Sequence, residues 1–158
     1  MTANVTNDGL IDDEDARDTV RAFVHAIVWG EHHRVWELLG PAARDRVLES
    51  ACRRGLDSVA AARARLGTWG TEEADQFLTA LVRGLRVDLS GVDLELVHVV
   101  ERPEVQSDGA LRFRLESTTS LPAILTGGAN WSAGAVHVAA EANGWRVRSL
   151  EPRPPAGP

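Results

Sequence analysis

The sequence contains no lysine and no tyrosine, and its single cysteine is Cys52. One cysteine excludes an internal disulfide and any zinc site built from several thiolates. Cys52 lies in a predicted helix, and no base is spaced to activate it, so we expect it to fill space beside the core. All 17 basic residues are arginines, which we attribute to a GC-rich bacterial genome. Because arginine fills every basic position, finding one at a given position is weaker evidence than usual for a specific arginine contact.

Long apolar runs and targeting signals are also missing. No run approaches the roughly 20 apolar residues that span a bilayer, and the acidic start lacks the basic and apolar regions of a signal peptide. The formal net charge of −6 disfavours non-specific binding to nucleic acid, which needs a basic surface. We expect a cytoplasmic protein that binds neither membranes nor nucleic acid.

The length fits one domain. With 158 residues, 44% of them hydrophobic, the chain can bury a core without disulfides or a metal. Residues 1–11 are predicted to be disordered, and residues 12–152 to form the domain. Residues 153–158 are expected to be a flexible tail, because the prolines of "EPRPPAGP" prevent regular structure.

The first half has the apolar spacing of helices. Gly30 is expected to end the first helix and Gly55 the third, both as left-handed caps. Asp57 or Ser58 should cap the fourth helix, and Thr71 the fifth. The predicted helices cover residues 13–29, 31–39, 41–54, 58–66 and 72–83.

The second half alternates apolar and polar residues, which predicts β-strands. Residues 107–109 are expected to form a hairpin turn, and Asn143-Gly144 is the strongest short hairpin signal in the chain. Helices followed by an antiparallel meander indicate the α+β class. The predicted strands cover residues 92–100, 110–118, 131–141 and 145–151.

The segment "VRAFVHAIVWGEHHRVWELLGPAARDRV" resembles the opening helices of the NTF2-like superfamily, which includes the SnoaL and ketosteroid-isomerase branches. In that family a helix of the form "F..A...G" leads into "..W.LL.P..R". The final strand resembles "GW.V....P", as in "NGWRVRSLEP" here. The similarity covers residues 15–52 and 92–152, whereas the predicted helices within 56–84 are an insertion relative to the minimal family pattern.

The resemblance implies a curved sheet wrapped around helices, with a pocket inside the resulting cone. It also implies a homodimer formed through the sheet. Catalytic members often place an aspartate in the pocket after the second helix. The corresponding stretch here, "LLGPAARDRV", has only Asp45, which lies between two arginines as a surface residue would. The departure favours a binding or accessory protein.

Residues 28–39, "VWGEHHRVWELL", place two histidines beside a glutamate. His33 and Glu37 have the i, i+4 spacing of metal ligands on a helix, while His32 should point about 100° away from His33. One pair of ligands does not make a site. We interpret these residues as solvated groups at a helix joint and expect no metal.

His98 is the candidate general base. It falls on the same alternating face of the strand as Leu94, Leu96 and Val100. If that face is turned towards the inside of the cone, His98 points into the pocket, where it could act as a base. A core histidine that is hydrogen-bonded to a backbone carbonyl or to a helix residue is the competing interpretation. Asp88, at the start of a short strand after the last helix, is the best acidic partner, and Glu116 is an alternative. Asp75 is expected to be a surface residue of a helix first turn.

Several aromatic residues are candidates for the pocket wall. Residues 120–131 form a long, glycine-containing connection that could close over a pocket mouth. His137 faces away from its apolar neighbours and could lie in the pocket or in a dimer interface. The candidate ligand-binding residues are Trp29, Trp36, Trp69, Phe113, Trp131 and His137.

The sequence supports three functional hypotheses, none of which needs a cofactor. In the first, the pocket binds a small, largely apolar molecule or a partner chain, and the protein is an accessory to a biosynthetic pathway. In the second, the chain is an isomerase, dehydratase or cyclase that uses His98 as its base, with Trp69 or Trp131 against the substrate. In the third, the cone is filled by its own side chains and the protein is a dimeric scaffold.

Overall fold

The computed structural model describes residues 13–89, 97–117 and 131–152, which form helices first and strands afterwards. The α+β class predicted from the sequence is therefore confirmed. No helix in these ranges combines the length and the apolar character needed to cross a bilayer. The helices are α1 (Glu14–Trp29), α2 (His32–Leu38), α3 (Pro41–Arg53), α4 (Ser58–Leu66) and α5 (Thr71–Asp88). The strands are β1 (Val97–Val99), β2 (Glu104–Val105), β3 (Leu111–Ser117), β4 (Trp131–Glu141) and β5 (Gly144–Pro152).

Three of the predicted helix ends are confirmed, and one of them is Gly55, which follows α3 with a φ of 108° and donates to the carbonyl oxygen of Cys52. Gly30 ends α1 in the left-handed conformation, with φ 70°, and its N–H group lies over the last carbonyls of the helix. Glycine suits this position because it has no Cβ to clash there. At α4 the side chain of Asp57 accepts a hydrogen bond from the N–H group of Val59, which satisfies a free donor of the first turn.

The predicted bounds of α5 are wrong at both ends. Thr71 is already helical, and Gly70 occupies the N-cap position without a side-chain hydrogen bond. The helix also continues through Gly84 to Asp88. A glycine costs only about 1 kcal/mol within a helix, and burial of Leu89 just beyond the helix favours the extra turn. Asp88 is therefore the last residue of a helix and not the first residue of a strand.

The strands form one antiparallel sheet in the order β1-β3-β4-β5, with β2 also paired to β3. The hairpin predicted at residues 142–144 joins β4 to β5, and Gly144 has a φ of 101°. The turn predicted at residues 107–109 leads from β2 into β3. The first predicted strand is described from Val97 onward, and its residues 92–96 lie outside the described ranges.

A register shift interrupts the ladder between β4 and β5. His137 pairs with Ser149, whereas the next residue, Val138, pairs with Val147. Arg148 is thus the extra residue of a β-bulge. Bulges bend a strand locally and redirect side chains, and this one lies on the strand that borders the cavity described below.

The main core lies between α1 and one face of the sheet. Leu39 forms an isolated bridge to Val147, and the Gly40 N–H group donates to the Val147 carbonyl oxygen over 2.8 Å. This contact holds the joint of α2 and α3 against β5. The fully buried side chains of this core include Val20, Phe23, Ile27, Leu111, Phe113, Leu115, Val136 and Val138.

The segment 56–84 packs through a second, smaller core. Leu48 of α3 lies buried against Ala61 and Ala64 of α4. Cys52 is half-buried beside this cluster, in the space-filling position expected from the sequence. Helices α4 and α5 are therefore anchored to α3 and α2 by contacts of their own.

Candidate functional site

A cavity of about 710 Å³ lies between α3, α5 and β5. Three buried core residues, Phe23, Leu39 and Val147, form its floor. Each helix contributes residues at positions i, i+3, i+4, i+7, i+8 and i+11, which is one face of an α-helix. The described lining from the two helices comprises Ala43, Arg46, Val47, Ser50 and Ala51 of α3, Arg54 at its C-cap, and Phe77, Ala80, Leu81, Gly84, Leu85, Val87 and Asp88 of α5.

Small side chains leave this space open. Ala43 and Ala51 face the cavity from α3, and Ala80 and Gly84 face it from α5. Apart from its chain neighbours and the adjacent helix backbone, a Cβ atom placed on Gly84 would meet no atom within 4 Å. We call this cavity the α3–α5 groove.

Charged groups stand at the edge of the α3–α5 groove. A guanidinium N–H group of Arg46 donates to the carbonyl oxygen of Arg148, and the Arg148 guanidinium pairs with the carboxylate of Asp108. Arg54 makes no ion pair with any residue in the described ranges. Asp88 is the carboxylate on the opposite helix. Apolar walls with a few polar groups are typical of small-molecule sites.

Two of the predicted aromatic residues stand behind the groove rather than in it. Trp36 and Trp69 pack on each other with ring centroids 5.5 Å apart, and both contact Phe77, at 5.9 and 5.5 Å respectively. Phe77 itself lines the groove. The two tryptophans therefore support a wall residue that the sequence analysis did not single out.

The other predicted wall residues do not line the groove. Phe113 is 0% exposed, because it lies on the inward face of β3 beneath α1. Trp29 is 66% exposed, since it ends α1 on the solvent side, near His25. The side chain of Trp131 and the predicted lid, residues 120–130, lie outside the described part of the structure.

His98 does not lie on the apolar face. Its neighbours Val97 and Val99 pack towards the main core, so His98 points the other way, with 47% of its side chain exposed. It stands opposite Glu116 on β3, with Nε2 3.8 Å from a carboxylate oxygen. The prediction that His98 lies on the apolar face is wrong, because Val97 and Val99 are the residues of this strand that face the core.

Asp88, its proposed partner, is the last residue of α5 and belongs to the groove instead. No contact joins Asp88 to His98 among the described residues. The predicted His98–Asp88 pair is therefore not brought together by the fold.

His137 lies on the outer face of the sheet. Its Nε2 is 2.9 Å from Oε2 of Glu151, which is also bound by Arg112. Arg112 in turn contacts Glu104 at 3.0 Å. Hydrogen bonds from Arg112 and His137 lower the pKa of Glu151 from 4.5 to about 2. The outer face of the sheet therefore carries a network of ion pairs around Arg112 and Glu151.

The histidines of "EHHR" converge, contrary to expectation. His33 Nε2 lies 2.7 Å and His32 Nε2 3.1 Å from the same oxygen, Oδ1 of Asp75. Glu37, which has the i, i+4 spacing to His33, pairs with Arg34 instead. Hydrogen bonds from the two imidazoles lower the pKa of Asp75. Asp75 is thus a partner of α2 and not only a surface residue of the first turn of α5.

The α3–α5 groove escaped the sequence analysis for an identifiable reason. The signal was present as two helical stripes of small and apolar residues, one in α3 and one in α5. Gly84 was interpreted as the end of the helix, which removed Leu85 and Asp88 from the second stripe. Whether these apolar helix faces are covered by other side chains depends on how α3 and α5 pack in the tertiary structure.

Comparison with known proteins adds no family to these observations. No family model matches the chain, and no curated protein or solved structure matches it significantly.

Proposed function

We propose that the chain is an NTF2-like pocket protein that binds a small, largely apolar molecule in the α3–α5 groove. The observation that carries this proposal is the groove itself, in which two helices present uncovered stripes over a floor of core side chains. Its volume of about 710 Å³ falls within the roughly 300–1,000 Å³ of ligand pockets.

The lining indicates the chemistry of the ligand. Apolar atoms predominate along both helices, so an apolar body would gain most from burial there. Arg54 and Ser50 on α3 could anchor one polar or anionic group at the edge. An elongated apolar molecule with a single polar end would satisfy both features.

The order of elements supports the family proposal. Helices precede an antiparallel sheet, and α1 packs against one face of that sheet. The "GW.V" residues lie on the last strand, β5. These features agree with the resemblance described above.

The other two hypotheses have less support. A base at His98 would act on the outer face of the sheet, away from the α3–α5 groove. The scaffold hypothesis requires a pocket that is filled by the protein's own side chains, whereas the α3–α5 groove has an open volume of about 710 Å³. The predicted homodimer through the sheet is also a proposal, and it would have to pair the charged groups Arg112, Glu104 and Glu151 of two copies.

Binding of an anionic naphthalene-sulfonate dye, followed by fluorescence titration, tests the groove. We expect saturable binding of one dye per chain. Gly84→Leu places a side chain in free space in the groove and should weaken binding by at least about tenfold, or about 1.4 kcal/mol. Native mass spectrometry of protein purified gently from its host should then reveal a bound organic molecule.

Thr79→Leu is the matched control, because Thr79 is exposed on the same helix and does not line the groove. It should leave dye binding unchanged. Equal binding by the wild type and Gly84→Leu, or no saturable binding at all, would contradict a small-molecule site. Co-purification of a stoichiometric polypeptide in place of a small molecule would favour the partner chain.

A further inference from the structure

His32, His33 and Asp75 bring three metal-ligating atoms together on the surface. One atom from each side chain lies within 4.8 Å of the other two. Zinc bonds of about 2.0–2.2 Å place neighbouring ligand atoms on the order of 3.3 Å apart in a tetrahedral site. The distances from Asp75 Oδ1 to His32 and His33, 3.1 and 2.7 Å, therefore need only small adjustments around an ion.

We propose that His32, His33 and Asp75 bind one divalent transition-metal ion of the zinc type. Imidazole nitrogen suits zinc, cobalt and nickel, whereas magnesium and calcium prefer oxygen ligands. Two histidines and one carboxylate are a known ligand set for such ions. Three protein ligands leave at least one coordination position for water or another small ligand.

The hydrogen bond of His32 Nδ1 supports metal binding through the other ring nitrogen, Nε2. Its Nδ1 lies 3.3 Å from the carbonyl oxygen of Gly30, and its Nε2 faces the Asp75 carboxylate. The carbonyl oxygen of Gly30 only accepts hydrogen bonds, so this contact uses the N–H group at Nδ1 and leaves Nε2 directed at Asp75. With an ion at Nε2, the ring keeps one proton for Gly30 and offers its lone pair to the metal. A backbone carbonyl commonly orients metal-binding histidines in this way.

The surrounding packing holds the ligands in place. Asp75 shares a face of α5 with Leu78 and Val82, which are buried. At the other end of this face, Arg86 donates to the carbonyl oxygens of Ile27 and Val28 at the end of α1, over 2.9 and 2.6 Å. The ligands come from two elements fixed by independent contacts, and such preorganisation lowers the cost of binding.

The site is separate from the α3–α5 groove. Asp75 and Phe77 are two positions apart on α5, about 200° around the helix, and only Phe77 faces the groove. The metal proposal therefore stands or fails independently of the proposed function.

Metal titration of the untagged full-length chain tests the site. After treatment with a chelator, the protein is titrated with Zn²⁺ by calorimetry and with Co²⁺ by visible absorption. We expect one ion per chain and Co²⁺ bands of nitrogen and oxygen coordination. His33→Ala and Asp75→Ala should each lower the Zn²⁺ affinity by at least about tenfold. Zn²⁺ should raise the thermal midpoint of the wild type but not of these variants.

His25→Ala is the matched control. His25 is an exposed neighbour that lies 3.7 Å from Glu31 and outside the three-residue cluster, so its removal should leave the affinity unchanged. Circular dichroism of the metal-free variants should match the wild type, since His33 and Asp75 are not core residues. Absence of stoichiometric binding, or equal losses in His25→Ala and His33→Ala, would overturn the proposal.

Discussion

Arg112 and Glu151 pair through two parallel contacts across the outer face of the sheet. Arg112 Nε lies 2.9 Å from Oε2 of Glu151, and Nη2 lies 3.1 Å from Oε1. This forked geometry is the strongest form of an arginine–carboxylate pair. It joins β3 to β5 over β4, which contributes the contact from His137.

The Glu151 network should make stability depend on pH in the acid range. The pKa of Glu151 is lowered from 4.5 to about 2, so its stabilising contribution is complete above about pH 5 and is lost as the pH falls towards 2. Because Glu151 is half-exposed, solvent screening limits this contribution to on the order of 1 kcal/mol. Urea unfolding of the wild type and Glu151→Gln should differ near neutral pH and converge in acid.

Glu104→Gln provides the comparison for this prediction. It removes the second carboxylate on Arg112 but keeps the Arg112–Glu151 pair. This variant should therefore retain the loss of stability between about pH 5 and pH 2. A difference between the wild type and Glu151→Gln that stays constant down to pH 2 would contradict the assigned role of Glu151.

Phe113→Ala should strongly destabilise the protein. The ring is fully buried between β3 and α1, and truncating a buried phenylalanine costs about 3–5 kcal/mol through lost burial and a residual cavity. Thermal or urea unfolding measures this loss. Dye binding, measured under conditions where the variant is folded, should be preserved because Phe113 does not line the α3–α5 groove.

Trp29→Ala is the counterpart in an exposed position. Trp29 contributes little to the core, so the free energy of unfolding should change by less than about 0.5 kcal/mol. A loss comparable to that of Phe113→Ala would show that the Trp29 ring is covered in solution.

His98→Ala and His137→Ala separate the two strand histidines. His98 is half-exposed beside Glu116, so its removal should change stability by less than about 0.5 kcal/mol. His137 is more buried and hydrogen-bonded to Glu151, so its removal should cost about 1 kcal/mol. Urea unfolding near neutral pH measures both. A larger loss for His98→Ala would restore the core interpretation of that residue.

Local features of the sequence predicted much of the fold. The end of α1 at Gly30, the cap at Asp57 and the hairpin at Asn143-Gly144 each depend on the conformational preference of a few adjacent residues. Hydrophobic periodicity also distinguished the helical half from the strand half. The α+β class follows from these local preferences, because their physical causes act over a few residues.

Local sequence patterns did not predict which face of a strand is buried or how distant strands pair. The strand around His98 has apolar residues at both odd and even positions, so only packing against α1 decided which set is buried. The bulge at Arg148 likewise depends on the pairing of β4 with β5.

The sequence by itself determined which segments become helices and strands and where several of them end. Its single cysteine also excludes an internal disulfide. Only the tertiary structure decided that Asp75 meets His32, 43 positions away in the chain, and that facing stripes of α3 and α5 remain uncovered. Both depend on how helices pack against one another. The energy of such packing is shared among many side chains from distant parts of the chain, and no local pattern records it.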